Sequence, residues 1–245
     1  MNKLKRFYAT ENPKDGFFAL SGQEFAHAKN VMRLKEGDSI IICCGDGVDY
    51  TCEISKIHKD NLACKVHFSA PNKCDPQVAV TLYQAQVKAD KLELITQKVG
   101  EIGISKIVPF TSEFCVVQGD LSKQKIERLN KIAVESAKQC GRSKPLRIEN
   151  NINFCAVIKE LANYDLVVFA YENANQEKIS QISGDYKNIA IIVGSEGGFS
   201  QSECEMLCAL KNTHCITLGK RILRAETAAI VSCALVMDKF ENIID

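Results

Sequence analysis

Two glycine-containing loops in the C-terminal half of the chain carry the residue types best suited to hold a small polar ligand. The first, residues 194–200, follows an apolar run and contains Glu196, and the second spans residues 218–228. Each loop connects a strand-like pattern to a helix-like pattern. Because ligands in open α/β sheets bind at the carboxyl ends of the strands, we predict that the two loops form two walls of one pocket.

The glycine spacing in the first loop excludes two common nucleotide sites. Residues 194–198 lack the G-x-G-x-x-G order of a dinucleotide-binding turn, and no Gly-Lys-Ser/Thr follows them as in a P-loop. Glu196 would repel a phosphate, whereas it suits a ribose hydroxyl or a cationic group. The alternative is that the glycines only permit a tight turn, with Ser200 and Glu203 forming a capping box for the next helix. The two loops together favour a ligand with hydroxyls and positive charge.

The basic charge of the chain is concentrated in its middle third. The 245 residues are 46% hydrophobic and 25% charged, as in ordinary globular proteins, and the net charge is +1. Residues 86–147 hold 12 Lys/Arg against 7 Asp/Glu, whereas residues 148–245 hold 8 against 13. This asymmetry favours a polyanionic partner on one face, with a solvated lysine-rich helix as the alternative.

The cysteines and the apolar runs indicate the compartment. The 12 cysteines are scattered without a C-x-x-C pair, and no histidine stands at metal-ligand spacing. We therefore expect small core residues in a reducing compartment and no metal site. No apolar run reaches the length of a membrane span, so the sequence favours a cytoplasmic protein without a membrane partner.

The pattern of the elements predicts two domains, at residues 1–72 and 73–245. Short β-rich runs separated by glycine-containing turns, with one helix at 23–32, predict a small and mostly antiparallel barrel in the first domain. Strands then alternate with helices, which predicts a mainly parallel sheet covered on both faces, and therefore an α/β fold. The strands are predicted at 17–20, 39–43, 50–54, 62–66, 78–83, 104–110, 165–171, 188–193 and 215–218. The later helices are predicted at 90–102, with Asp90 as the cap, at 122–140, and at 225–240.

Several segments of the chain together carry a family pattern. They are Arg6-Phe7-Tyr8, His27 with residues 31–38, residues 97–103, residues 135–142, the first loop and, as the most specific part, residues 218–228. With these segments the chain resembles the RsmE family of SPOUT methyltransferases, which methylate N3 of a uridine in 16S ribosomal RNA, and the resemblance covers nearly the whole chain. One departure is Ser195, which stands where the family commonly has proline.

The resemblance implies a PUA-like β-barrel for RNA, followed by a SPOUT α/β domain with a C-terminal trefoil knot. Knots are rare, so sequence patterns alone would not predict one. The knot is expected to hold S-adenosylmethionine, with backbone groups reading the adenine and apolar side chains forming a slot. The implied cofactor-binding residues are Phe169, Ala170, Tyr171, Val193, Gly194, Glu196, Gly197, Gly198, Leu218, Gly219, Ile222, Leu223 and Arg224.

Catalysis at uridine N3 needs a group that deals with its proton. The base becomes nucleophilic only when a general base removes that proton or a cation stabilises the uracil anion. We predict that Arg6 and Arg224 hold O2 or O4 of the base, and that Glu226 accepts the proton or orients Arg224. The alternative for Arg224 and Glu226 is a structural salt bridge at the start of a helix. No metal is needed, because methyl transfer from a sulfonium proceeds by alignment and desolvation.

The expected partners are 16S ribosomal RNA or the small ribosomal subunit, and a second copy of the chain. SPOUT domains generally complete their sites across a two-fold interface, which implies a homodimer. Two other functions stay open: a non-catalytic RNA-binding or ribosome-assembly protein, and a SPOUT ribose 2′-O methyltransferase. The predicted RNA-binding residues are Lys5, Arg6, Arg33, Lys125, Arg128 and Arg142.

Overall fold

The chain forms two compact units in a computed structural model that describes residues 4–171 and 178–241. The first unit comprises Met1–Asp75 together with Ala137–Pro145, and the second comprises Pro76–Ser136 together with Leu146–Asp245. Each unit has its own sheet, with one hydrophobic core in the N-terminal unit and two in the C-terminal unit.

The N-terminal unit is built on a five-stranded sheet in the order β1-β3-β4-β5-β2. All its strand pairs are antiparallel except β1 with β3, so the prediction of a mostly antiparallel β domain is confirmed. Side chains alternate in burial along β2, where Phe18 and Leu20 enter the core. The strands are β1 (Lys5–Tyr8), β2 (Phe17–Ser21), β3 (Ser39–Cys43), β4 (Val48–Ile57) and β5 (Asn61–Pro71), and helix α1 (Gly22–Ala26) continues into a π-helical turn at His27–Val31.

The C-terminal unit is built on a seven-stranded sheet in the order β12-β10-β11-β6-β7-β8, with β9 paired to β7. Every pair in it is parallel, which confirms the predicted α/β class. Its strands are β6 (Ala79–Ala85), β7 (Lys106–Thr111), β8 (Arg147–Ile148), β9 (Ile152–Asn153), β10 (Leu166–Ala170), β11 (Asn188–Val193) and β12 (Thr213–Ile216). Its helices are α2 (Ala89–Ile102), α3 (Lys123–Cys140), α4 (Phe154–Leu161), α5 (Gln201–Cys208) and α6 (Ala225–Phe240), with a 3₁₀ turn at Ile179–Gln181.

Two cores cover the two faces of the parallel sheet. Leu82 lies in the core with α2 and α6, whereas its neighbour Tyr83 lies in the core with α4 and α5. This alternation follows from the two-residue period of a strand. It also explains why the central strands are almost continuously apolar, since both of their faces are buried.

Some local features differ from the prediction. Asp90 is not the cap of α2: the N-cap position is occupied by Lys88, with extended backbone angles, and Asp90 lies in the first turn. The strand predicted at 215–218 is β12, which ends at Ile216, so the next residues belong to a loop. The capping box of Ser200 with Glu203 at the start of α5 is confirmed.

No helix among residues 4–171 and 178–241 is both long enough and apolar enough to cross a lipid bilayer. The strand order alone does not define how the chain threads, so the trefoil knot stays a prediction of the resemblance.

Candidate active site

A cavity of about 550 Å³ lies at the carboxyl ends of β10, β11 and β12. In the sheet β10 lies between β11 and β12, so the loops after the two outer strands face each other across the end of the middle one. The two loops do form walls of one pocket, as the sequence predicts. The volume falls in the range of about 300–1,000 Å³ that is usual for small-molecule and cofactor sites.

Twelve of the 13 residues predicted to bind the cofactor line this cavity, and Phe169 is the exception. Phe169 is fully buried, with its ring stacked at 5.1 Å from Tyr171 and edge-on at 5.2 Å to Phe199. Its neighbour Ala170 reaches the cavity instead, because successive strand residues face opposite sides. Phe169 therefore supports the wall from inside the core.

The first loop, residues 194–200, contains a tight turn that packs against residues of other elements. The backbone N–H of Gly198 donates to the carbonyl of Ser195 at 3.1 Å, and Gly198 has a φ of +69°. The amide nitrogen of Gln84 donates to the carbonyl of Gly194 at 3.1 Å. Gly197 is required by close approach, since a Cβ there would lie 2.8 Å from the Cβ and the carbonyl oxygen of Phe114.

In the structure the second loop is shorter than the predicted segment and runs from residue 217, after β12, to residue 224, before α6. It combines a polar turn with apolar side chains. The N–H of Gly219 donates to the hydroxyl oxygen of Thr217 at 3.2 Å, and Gly219 has a φ of +108°. Leu223 is half-buried, whereas Ile222 is 84% exposed. The loop therefore presents exposed apolar side chains at the cavity.

One ammonium group contacts a carboxylate in the first loop and another directly after the second loop. Lys91 Nζ lies 2.7 Å from Glu196 Oε1 and 3.5 Å from Glu226 Oε2. The hydrogen bond to Glu196 raises the pKa of Lys91. Burial, the largest single influence, would raise the pKa of Glu196, but the hydrogen bond from Lys91, a local backbone hydrogen bond and the nearby lysine charges together hold that pKa below its usual value. Both shifts favour the charged forms of Lys91 and Glu196.

Glu226 lies beside the cavity and is not part of its lining. Its side chain is 13% exposed. Its Oε2 is buried and has no hydrogen-bond partner among the described residues. The carboxylate faces Lys91, at the start of α6, where the positive end of the helix dipole also favours a negative charge.

The rim of the cavity carries three exposed cations, Lys220, Arg221 and Arg224. None of them has a carboxylate within ion-pair distance in the part of the chain that the structure describes. This contrasts with Lys91, which is neutralised by two carboxylates. The rim is thus free to contact an anionic or electron-rich ligand.

Arg6 lies in the N-terminal unit in an ion pair. Its two terminal nitrogens bind the two carboxylate oxygens of Asp49 at 2.5 and 2.8 Å. Its Nη1 also lies 2.7 Å from the sulfur of Cys43, and its side chain is only 10% exposed. The guanidinium fork that was predicted to hold uracil is occupied by a protein carboxylate.

The predicted RNA-binding residues have different surroundings. Lys5 and Arg33 are exposed on the N-terminal unit, whereas Lys125 is half-buried. Arg128 is exposed but binds Glu93 at 2.7 Å. Arg142 is 3% exposed and its Nε lies 3.8 Å from Asp75 Oδ1, which leaves little of its surface for RNA.

The cavity also contains residues that the sequence analysis did not assign to it. Lys220 and Arg221 stand inside the second loop and could have been included with it. Lys91 is separated from Glu196 by 105 positions, and a lysine near a helix start gives no signal of a distant partner. The other unassigned lining residues are Ser195, Phe199, Thr217, Ala225 and Ala228.

Comparisons with known proteins agree with this architecture. The RNA methyltransferase domain family matches residues 74–237, and the RNA methyltransferase PUA domain family matches residues 20–66. Ribosomal RNA small subunit methyltransferase E of Bacillus subtilis (strain 168) is 34% identical over 228 residues, covering 89% of each chain. The protein of the same name from Rickettsia conorii is 37% identical over 213 residues, covering 86% of this chain and 84% of the relative.

Solved structures show the same fold. A crystal structure of a ribosomal RNA small subunit methyltransferase E from Neisseria gonorrhoeae, bound to S-adenosyl methionine, matches with a TM-score of 0.87. The match has 24% sequence identity and covers 99% of this chain and 100% of the other. Both units of the chain therefore have counterparts in one solved protein.

Proposed function

Because the chain belongs to the ribosomal RNA small subunit methyltransferase E family, we propose that it is a cytoplasmic enzyme that methylates N3 of a uridine in 16S ribosomal RNA, with S-adenosylmethionine as the methyl donor. The observation that carries this proposal is the cavity, which brings both family-typical loops together under a rim of unpaired cations. The 12 cysteines form no disulfide in the structure, which is compatible with a reducing compartment.

The lining of the cavity fits S-adenosylmethionine. The backbone groups of the two loops can bind the adenine edge, and Leu218, Ile222 and Leu223 offer apolar contact. Glu196 is a carboxylate acceptor for a ribose hydroxyl. The bound cofactor supplies an electrophilic methyl group on a positively charged sulfur. The formal charge of Lys91, Glu196 and Glu226 together is negative, which is compatible with that positive charge.

Arg224 is the residue best placed to activate the base. It is exposed on the rim, and no carboxylate in the described residues engages it. Its planar fork can donate two hydrogen bonds to a uracil oxygen, which stabilises the anion that forms as N3 loses its proton. Glu226 points to Lys91, so its role as proton acceptor stays a prediction, as does a role for Arg6 at the base.

We assign the RNA-contacting surface of the N-terminal unit to Lys5 and Arg33. Both side chains are exposed, and neither has an ion-pair partner among the described residues. Arg33 has a φ of +54°, a left-handed conformation that is unfavourable for a residue with a side chain. Such outliers concentrate at functional positions.

We also propose a homodimer. Helix α6 is apolar on more than one face, and Leu235 in it is 42% exposed. Light scattering at micromolar concentration should give twice the chain mass of 27.1 kDa. A monomer mass would contradict this part of the proposal.

The decisive test is to identify the product. The purified chain is incubated with S-adenosylmethionine and small subunits that lack the modification, and the digested RNA is analysed by mass spectrometry. We expect 3-methyluridine at one position. A 2′-O-methyl nucleoside would indicate a ribose methyltransferase, and RNA binding without any methylation would indicate a non-catalytic assembly protein.

A further inference from the structure

Lys91 occupies an electrostatically unfavourable position in its own helix. It lies in the first turn of α2, which begins at Ala89, and the N-terminal end of a helix carries partial positive charge. An ammonium there is disfavoured unless other elements compensate it. The compensation comes from Glu196 and Glu226, which belong to other segments of the chain.

The two carboxylates stand at the two cavity loops. Glu196 lies within the loop that follows β11, and Glu226 lies in the first turn of α6, directly after the loop that follows β12. Lys91 Nζ approaches the first at 2.7 Å and the second at 3.5 Å. A single side chain therefore connects the first turn of α2 to the first loop and to the first turn of α6, which directly follows the second loop.

The buried oxygen of Glu226 makes this connection necessary. Glu226 Oε2 has no hydrogen-bond donor among residues 4–171 and 178–241, and Lys91 supplies the cation within ion-pair distance of it there. A buried carboxylate without a compensating charge is strongly disfavoured. Loss of the ammonium would also leave Glu196 and Glu226 near each other with like charges, which would push the two loops apart.

We propose that Lys91 is a positioning residue that holds the two loops of the methyl-donor cavity in place through Glu196 and Glu226. This inference rests on the proposed function only for the identity of the ligand that the cavity binds. The bridging contacts are within the C-terminal unit and do not depend on any bound molecule.

A direct role for Lys91 is the main alternative. Lys91 also lines the cavity, so its ammonium could bind the carboxylate of the amino-acid part of the donor. The two roles differ in what they predict for a ligand without that part. S-adenosylhomocysteine carries the carboxylate, whereas 5′-methylthioadenosine keeps the adenine and ribose but lacks it.

Calorimetry of the full chain with both ligands separates these roles. If Lys91 holds the loops, Lys91→Met should weaken binding of both ligands by a similar factor of about tenfold or more. Lys91→Arg keeps the charge and should bind both within about threefold of the unmodified protein. Weakened binding of S-adenosylhomocysteine alone would overturn the proposal in favour of direct contact.

A double-mutant cycle tests the link to Glu226. Because Lys91→Met leaves that carboxylate uncompensated, adding Glu226→Gln should recover part of the lost affinity, so that the two effects are not additive. Additive effects would contradict a shared ion pair. Thermal unfolding of each variant checks that the chain still folds.

Hydrogen exchange measured without ligand tests the positioning role of Lys91 independently of the proposed cofactor. Lys91→Met should speed amide exchange in residues 194–200 and 217–224, and Lys91→Arg should not. Unchanged exchange in both loops would refute the positioning role. If the unmodified chain binds neither ligand while exchange still responds to Lys91→Met, the proposed cofactor is wrong and the role of Lys91 in the loops stands.

Discussion

Arg6 in the N-terminal sheet and Arg224 on the cavity rim have opposite electrostatic surroundings. Arg6 is almost buried and binds both oxygens of Asp49, whereas Arg224 is exposed and has no carboxylate partner among the described residues. Their residue type and motifs predict the same role for both, as cations that stabilise a uracil anion. The difference shows that residue type and motif do not reveal whether a charge is already neutralised.

The surroundings of Arg6 form a closed network. Asn72 donates a further hydrogen bond to Asp49 at 2.8 Å. Burial, the largest single influence, would raise the pKa of Asp49 and lower that of Arg6, but the hydrogen bonds and charges of the network together shift both pKa values in the opposite direction. The neighbouring thiol of Cys43 is buried, which raises its pKa to about 12 and keeps it neutral. Such a network stabilises a fold, and releasing its arginine for a substrate would leave a partly buried carboxylate uncompensated.

The largest expected effect is on turnover, which should fall on substitution of Arg224 but not on substitution of Arg6. Arg224→Lys keeps the charge but removes the planar fork, so kcat should fall by about 10²-fold to 10³-fold, as for loss of one anion-stabilising donor. Cofactor affinity should stay within about threefold, because the lost contact is to the base. Arg6→Lys is the matched control and should retain most of the turnover in single-turnover methylation assays. Equal losses in both variants would place Arg6 at the base as well.

The parts of the fold that sequence predicted well are those governed by local rules. Strand β11 and helix α6 have the predicted bounds, because a long apolar run with clear ends is sufficient to define each. The capping box of Ser200 with Glu203 follows from a three-residue spacing. Helix α4 was not predicted, because its eight residues are too few to show a helical period clearly.

The parts that sequence could not predict depend on distant partners. Arg6 meets Asp49 across 43 positions, because β1 pairs with β3 at the edge of the sheet. Lys91 meets Glu196 across 105 positions, because α2 begins near the carboxyl ends of the strands. One sequence without an alignment carries no signal for such pairs, so the composition of the cavity was predictable but its internal ion pairs were not.

A smaller effect is expected on stability. Here the substitution of Arg6 should have the larger effect, whereas for turnover the substitution of Arg224 does. Arg6→Met removes one partner of a partly buried ion pair, so the free energy of unfolding should fall by about 1–3 kcal/mol. Arg224→Met should change it by less than about 0.5 kcal/mol, because Arg224 is exposed and unpaired. Denaturant unfolding followed by circular dichroism measures both values. The double variant Arg6→Met with Asp49→Asn should be more stable than Arg6→Met alone, since no charge is then left without its partner. If Arg6→Met leaves the free energy of unfolding unchanged, the ion pair with Asp49 contributes nothing to stability and Arg6 is available for another role.

The smallest expected effect compares a free and a paired arginine within the C-terminal unit. Arg221 is exposed on the rim without a carboxylate partner among the described residues, whereas the exposed Arg128 already binds Glu93 at 2.7 Å. If unpaired charge is what meets the RNA, Arg221→Gln should reduce the slope of log affinity against log salt concentration by about 0.7–0.9, the value for one lost phosphate contact. Arg128→Gln should leave the slope nearly unchanged, because its charge is offset by Glu93. Fluorescence anisotropy with a labelled RNA fragment over a range of salt concentrations measures both slopes. A larger change for Arg128→Gln would show that α3 contributes to the RNA surface despite the ion pair of Arg128 with Glu93. In that case an ion pair with a neighbouring carboxylate would not predict which cations bind RNA.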